Sequence, residues 1–312
     1  MRSTPAAVFH APAAEADRYL PEGPRAVTVD DRSALAWVNI QTAGESTVGD
    51  LHVRFQDGEH RAFRQPRRPG FFIPTDRPNT LFVGMEKDVG LLNLTTNTFA
   101  PLATIPDASP RTVINDGEVV PGGRAVVFGT KDVRFADPIA HLYLFTLDGR
   151  LSTLADGHLC SNGKVFDGLT LYDIDTPRRN VTRYRLDLDA RKLHEEQVVL
   201  DLTSRAGFPD GMCAAGDGSV VIAFYNPDPV PDGRAIRFDL RTGDALEEWT
   251  TPGSPRVTCP LLDRVDGKTR LFLTTAVEGM PGEMRPKCPN AGSLFAADTH
   301  LSGPAPEVVR LA

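Results

Sequence analysis

Six short runs of β-branched and aromatic residues recur along the chain at near-constant spacing: LAWVNI from Leu35, TLFVGM from Thr80, AVVFGT from Ala125, LTLYDI from Leu169, VVIAFY from Val220 and RLFLTT from Arg270. Their starts are separated by 45, 45, 44, 51 and 50 residues. Runs of this composition, bounded by Asp-Gly, Gly-Gly or Thr-Gly, read as strands, and capped helix-period patterns are scarce. The period is that of one four-stranded propeller blade; helical solenoids and sandwiches do not space strands so regularly. The expectation is an all-β chain, one domain over residues 1–312, folded as a six-bladed β-propeller of four-stranded blades around a central channel. AHLYLFTLDGRLSTLA, VTRYRLDLDARKLHEE and RAIRFDLRTGDALEEW read as outer hairpins. AGSLFAAD is a further strand, and ring closure should pair the two chain ends within one blade, residues 1–14 being a loose or edge-pairing segment. Trp37, Phe82, Phe128, Tyr172, Phe224 and Phe272 are expected to pack between blades.

Composition narrows the partners. A formal charge of −7 argues against nucleic acid, whose binding draws on phosphate neutralisation by Lys and Arg. No apolar run approaches a membrane span, and Pro5, His10 and Pro12 interrupt the Ala-rich start, so a cytoplasmic protein, monomeric or weakly dimeric, is expected. Cys160, Cys213, Cys259 and Cys288 form no CxxC pair and read as reduced thiols. The basic stretch RAFRQPRR from Arg61 to Arg68 reads as a solvated loop.

Propeller ligands sit at the axis, where the innermost strands begin, so the residues preceding each run matter most. Glu22, Asn115, Asn162 and Asp210 lie 13, 10, 7 and 10 residues before their runs. Equal phase in a closed ring brings such residues together at one height. Two carboxylates and two carboxamides are hard oxygen donors, suited to calcium, magnesium or manganese more than to a thiolate or imidazole zinc site. Blades two and six offer Phe71, Phe72, Thr258 and Cys259 at this phase, an expected apolar wall. Taken singly, Asn115-Asp116-Gly117, Asn162-Gly163 and Asp210-Gly211 could be ordinary turn pairs, as Asp57-Gly58, Asp148-Gly149, Asp217-Gly218 and Asp232-Gly233 are. Phase separates the two groups.

These residues carry a resemblance to the senescence-marker-protein/gluconolactonase/luciferin-regenerating-enzyme-like family, the regucalcin-like lactonases. It spans nearly the whole chain, through Glu22-Gly23-Pro24, INDGEVVPGGRAVVFGT, Ser161-Asn162-Gly163, PDGMCAAGDGSVVIAFYN and NAGSLF. The resemblance implies one axial divalent cation, calcium before magnesium, manganese or zinc, held by Glu22, Asn162 and Asp210. It also implies that Asn115 lies beside the metal and helps hold substrate or water. The sequence departs from the family where substrate would bind. Val113 stands where an Arg is frequent, Arg111 lies two residues too early, and Lys131 follows Gly129-Thr130 where Met is common.

The chemistry implied is hydrolysis of a small lactone or related ester. A cation would polarise the carbonyl, and Asp210 would double as the base that activates water. Asn115 would orient water or substrate, with Asp116 bracing the turn. Lys131 or Arg134 could meet an anionic substrate, although both also read as solvated loop residues. No GxSxG elbow, zincin motif or phosphate loop appears, and His158 reads as structural. Another ester, a phosphotriester, or a non-catalytic metal-binding propeller are the competing readings.

Overall fold

A computed structural model describes residues 2–265 and 268–311. Its strands form six sheets around one axis, the six-bladed propeller that the repeat requires. Each recurring run is the second strand of its blade, preceded by an innermost strand: Pro21–Val29, Pro69–Pro74, Thr112–Val119, Ser161–Asp167, Phe208–Ala214 and Val257–Val265 for blades 1 to 6. The three outer hairpins are strands three and four of blades 3, 4 and 5. Among the described residues no helix is long and apolar enough to cross a membrane, and only three short 3₁₀ turns interrupt the strands.

The chain ends close the ring within blade 6, where Ala7–His10 pairs antiparallel with Leu294–Asp298. The segment before it, Arg2–Pro5, continues as a parallel fifth strand on blade 5. One N-terminal segment thus stitches two blades together, so the N-terminus is an edge-pairing element.

Alternating side chains of each strand meet the neighbouring blade. Phe82, Phe128, Phe224 and Phe272 are at most 2% exposed and belong to clusters that cross blade boundaries. Phe71 lies between Phe82 and Phe128, with ring centroids 6.3 and 5.9 Å away. Phe72 is fully buried with Val38, Val53 and Val83. The expected wall of Phe71 and Phe72 is therefore not at the site: the blade 2 inner strand turns both rings into inter-blade core. A second correction concerns RAFRQPRR. His60–Gln65 is the outermost strand of blade 1, and its arginines are paired, Arg61 with Asp30 at 2.7 Å and Arg64 with Asp50 at 2.5 Å. Arg67 and Arg68 after it pair with Asp88 and Glu86.

The turn after Ala125–Asp132 hangs on one carboxylate. Asp132 accepts hydrogen bonds from Arg111 Nε at 3.1 Å and from the backbone N–H of Arg134, Ala136 and Asp137 at 3.1, 3.1 and 3.0 Å. Burial alone would raise its pKa, but these donors prevail and hold it well below the usual carboxylate range. A depressed folded pKa adds stability that is present above the unfolded value of ~4 and disappears as pH falls through the folded one. Asp132→Asn is accordingly expected to lose about 2 kcal/mol at pH 7. Urea unfolding at pH 7, 4 and 3 should show the gap to wild type narrowing at the acid end; a constant gap would count against this account.

Candidate functional site

The innermost strands do not pair evenly with their neighbours. Each antiparallel register slips by one residue near its start, and in five blades two residues then stand opposite one: Gly23-Pro24, Asn115-Asp116, Asn162-Gly163, Asp210-Gly211 and Thr258-Cys259. A bulge re-aims its side chains out of the pleat, and in a ring of blades that direction is the axis. Asn115, Asn162 and Asp210 occupy the same bulge position, and Glu22 is the residue just before the bulge in blade 1. All four are buried or half-buried. The unequal spacings of 13, 10, 7 and 10 residues in the sequence come from hairpins of different length.

Gly117, Gly163 and Gly211 are not turn residues, since none has a positive φ, whereas Gly58, Gly149 and Gly218 do, at 93°, 86° and 81°. A Cβ on Gly163 would meet Met212 N at 2.4 Å, and one on Gly211 would meet Cys259 Sγ at 2.5 Å. These glycines let neighbouring inner strands approach closely enough to narrow the ring around its polar residues.

Electrostatics ties the residues together. Burial drives the Glu22 carboxyl well above its ordinary range, and the negative charges of Asp210 and Asp116 add to that rise. Burial does the same to Asp210; Lys131 opposes it, and Glu278 and Asp116 reinforce it. Asp116 is raised chiefly by burial. It accepts from Gly117 N–H at 2.7 Å, within the bulge of the strand instead of a loop turn, and its charge reaches Glu22 and Asp210. Glu278, which no repeat position announced, is presented from the loop after blade 6's second strand. Its carbonyl accepts from the Tyr225 hydroxyl and the Arg256 guanidinium.

The neutral polar members are held from behind. Asn162 Nδ2 donates to Thr176 Oγ1 at 3.2 Å, and its amide also hydrogen-bonds Asp210. Asn115 Nδ2 donates to Ser161 carbonyl at 3.1 Å, bracing blade 3 on blade 4. Lys164 Nζ donates to the Asn162 carbonyl at 2.6 Å and pairs with buried Asp173 at 3.2 Å. Ser161 Oγ donates to Asp173 at 2.9 Å, and His158 Nε2 stands 3.4 Å from it. This arrangement gives His158 the structural place expected of it. On the blade 1 side, Arg25 reaches across the channel to Glu118 at 3.0 Å and to Gly117 carbonyl at 3.0 Å. Lys164 and Arg25 carried no signal beyond lying two or three residues from predicted positions.

Lys131 lies at the end of blade 3's second strand, 6% exposed and bridged to Cys160, so the solvated-loop reading fails for it. Its positive charge lowers Glu22, Asp210 and Cys160. Arg134, by contrast, is exposed in the following turn. Burial raises the Cys160 and Cys259 thiols and pushes Cys213 up to about 12, which disfavours the thiolate form a nucleophile needs. All four cysteines are free.

These residues suit a hard divalent cation. Burial raises the proton affinity of both Glu22 and Asp210, the charge of Asp210 adds to the rise at Glu22, and both Asn162 N–H bonds are engaged, leaving its oxygen as the ligand atom. Beside these residues a cavity of about 270 Å³ is lined by Gly23, Arg25, Asp116, Lys164 and Cys259 together with Pro304 to Glu307; none of Glu22, Asn115, Asn162 and Asp210 lines it. A larger groove of about 610 Å³, near Phe9, Phe55 and Arg270, touches none of the axial residues.

Comparison with known proteins gives the chain's family and agrees on its fold. The chain is 30% identical to regucalcin of Danio rerio over 236 residues, which is 74% of this chain and 73% of the relative. It is 26% identical over 296 residues to YvrE of Bacillus subtilis (strain 168), named provisionally as a sugar lactone lactonase, covering 94% and 96% of the two chains. The crystal structure of a calcium-binding regucalcin from Agrobacterium tumefaciens superposes with a TM-score of 0.83 at 22% identity over 100% of both chains, a likeness of fold. The family model for the SMP-30/gluconolactonase/LRE-like region matches residues 20–277, from just before Glu22 to just past the second strand of blade 6, and the chain belongs to that family.

Proposed function

We propose that this chain hydrolyses a small lactone with the help of one divalent cation, calcium before magnesium, manganese or zinc, held by Glu22, Asn162 and Asp210. The observation that carries the reading is that these three side chains stand at or beside the bulges of the inner strands, with the charge of Asp210 acting on Glu22 and the Asn162 amide hydrogen-bonded to Asp210. A cation bound there supplies Lewis acidity to a carbonyl oxygen. Asp210 takes a proton from the attacking water as its oxygen adds to the carbonyl carbon, and that proton passes to the departing ring oxygen as the ester bond breaks. Asn115 orients water or substrate. Lys131 sets a buried positive charge that acts on Glu22 and Asp210 and would stabilise the negative charge developing on the carbonyl oxygen. The family's name and that of YvrE support a lactone over other esters.

A panel of sugar lactones, aliphatic lactones and aryl esters, followed by proton release, tests the reading. Turnover on a lactone should fall by at least about 100-fold after chelation and return with added metal. Undiminished turnover in chelator, or turnover of aryl esters alone, would overturn the assignment. A change in melting temperature without any turnover would mark a non-catalytic propeller.

A further inference from the structure

On the outer side of blade 1, away from the axis, a second group of ligating side chains comes together. Asp50 and His52 lie on one face of the strand Gly49–Phe55, and Asp17 reaches them from the short turn Glu15–Arg18. One donor atom of each lies within 4.8 Å of the others. Asp50 and His52 are 1% and 0% exposed, yet Asp50 Oδ2 and His52 Nε2 have no hydrogen-bond partner. Trp37 Nε1 and His10 Nε2, in the same aromatic cluster, are likewise unpartnered. Buried polar atoms are nearly always satisfied, so orphans gathered in one place indicate that something binds there.

We propose that Asp17, Asp50 and His52 form a second metal site, for a zinc-class ion, separate from the axial site. The mixed nitrogen and oxygen donors suit such an ion better than the all-oxygen axial set does. His52 Nδ1 lies 3.0 Å from His60 Nε2, with the ring planes nearly parallel at 3°. That contact fixes the ring and leaves Nε2 for the metal, the way metal-bound histidines are usually oriented. Arg64 meets the other oxygen of Asp50 from the solvent side. Zinc bonds of ~2.1 Å need donor atoms no more than ~4.2 Å apart, so half-buried Asp17 is the arm that closes on the ion while the buried pair stays put.

The position suggests a role. Asp17 belongs to the segment leading from the closing strand Ala7–His10 of blade 6 into blade 1, and the other two ligands belong to blade 1. An ion there clips the seam of the ring.

The test loads metal-stripped full-length protein with zinc alone and counts ions by equilibrium dialysis and elemental analysis, with melting temperature read in parallel. Wild type should bind two ions. Glu22→Gln should keep one, and its melting temperature should still rise by several degrees with zinc. Asp17→Asn, a near-isosteric change at a half-buried position that should leave the fold intact, should lose the other ion and that rise; His52→Gln should do the same. A single ion in wild type that Glu22→Gln abolishes, meaning that only water occupies the blade 1 cluster, would overturn the proposal and leave the axial reading untouched. A second ion that survives Asp17→Asn and His52→Gln would overturn it too.

Discussion

Asp210→Asn is expected to lower kcat/KM on the best lactone by about 10³-fold or more, because one substitution removes both a cation ligand and the base. The size of the loss separates this role from ordinary packing. Asp210 is 6% exposed and its strand is bulged at that residue, so an isosteric amide fits without moving the backbone. Stability should change in the opposite direction from activity. Burial, with Glu278 and Asp116 nearby, raises the Asp210 carboxyl well above its ordinary range. A raised folded pKa in an acid costs stability at every pH above the unfolded value, so the metal-free amide variant should melt higher than metal-free wild type at pH 7. With calcium present the order should reverse, because only wild type gains from binding. Turnover within tenfold of wild type would sink the mechanism; a lower melting point of the metal-free variant would refute the electrostatic description of the site.

Much of this was legible beforehand, for identifiable reasons. The blade count follows from six apolar runs because each must be flanked by neighbouring blades on both faces, which forces Phe82, Phe128, Phe224 and Phe272 to recur. That Glu22, Asn115, Asn162 and Asp210 fall at or beside the inner-strand bulges follows from the repeat, because closure turns a sequence period into a shared height. What failed were statements about single side chains whose direction depends on neighbours far away in sequence. Phe72 shares the phase of the axial residues, but the blade 2 irregularity falls earlier, at Gly70, so Phe72 pairs regularly with Val83 and its ring points into core. Lys131 reads as loop-like because Asp132 and the turn after it are polar. Its burial depends on the bridge to Cys160 in the next blade. Glu278 arrives from a loop held by Tyr225 and Arg256, about which the repeat says nothing. Asp17, Asp50 and His52 escaped notice because their spacing matches no short metal motif: Asp17 sits in the turn before blade 1 and the other two on that blade's third strand.

The close approach of the inner strands leads to the other large effect. Gly163→Ala is expected to destabilise the protein by about 3 kcal/mol and to weaken axial metal binding more than tenfold, since overpacking against rigid neighbours costs ~1–3 kcal/mol or more. The added methyl would lie 2.4 Å from Met212 N and 2.7 Å from the Gly211 carbonyl carbon, both backbone atoms of blade 5. No side-chain rotation relieves such a contact, so the inner strands of blades 4 and 5 must separate, carrying Asn162 away from Asp210. Gly149→Ala is the proper control. Gly149 has a φ of +86° and nothing within 4 Å of its added Cβ, so that substitution strains only the backbone of an outer turn, for about 1 kcal/mol, and leaves metal affinity alone. Urea denaturation and metal titration of the two variants decide between the readings of an Asn-Gly pair. If Gly163→Ala matches Gly149→Ala in both, the pair is an ordinary turn and the axial glycines do not shape the site; if it loses stability and metal together, close approach at the axis is what these glycines are for.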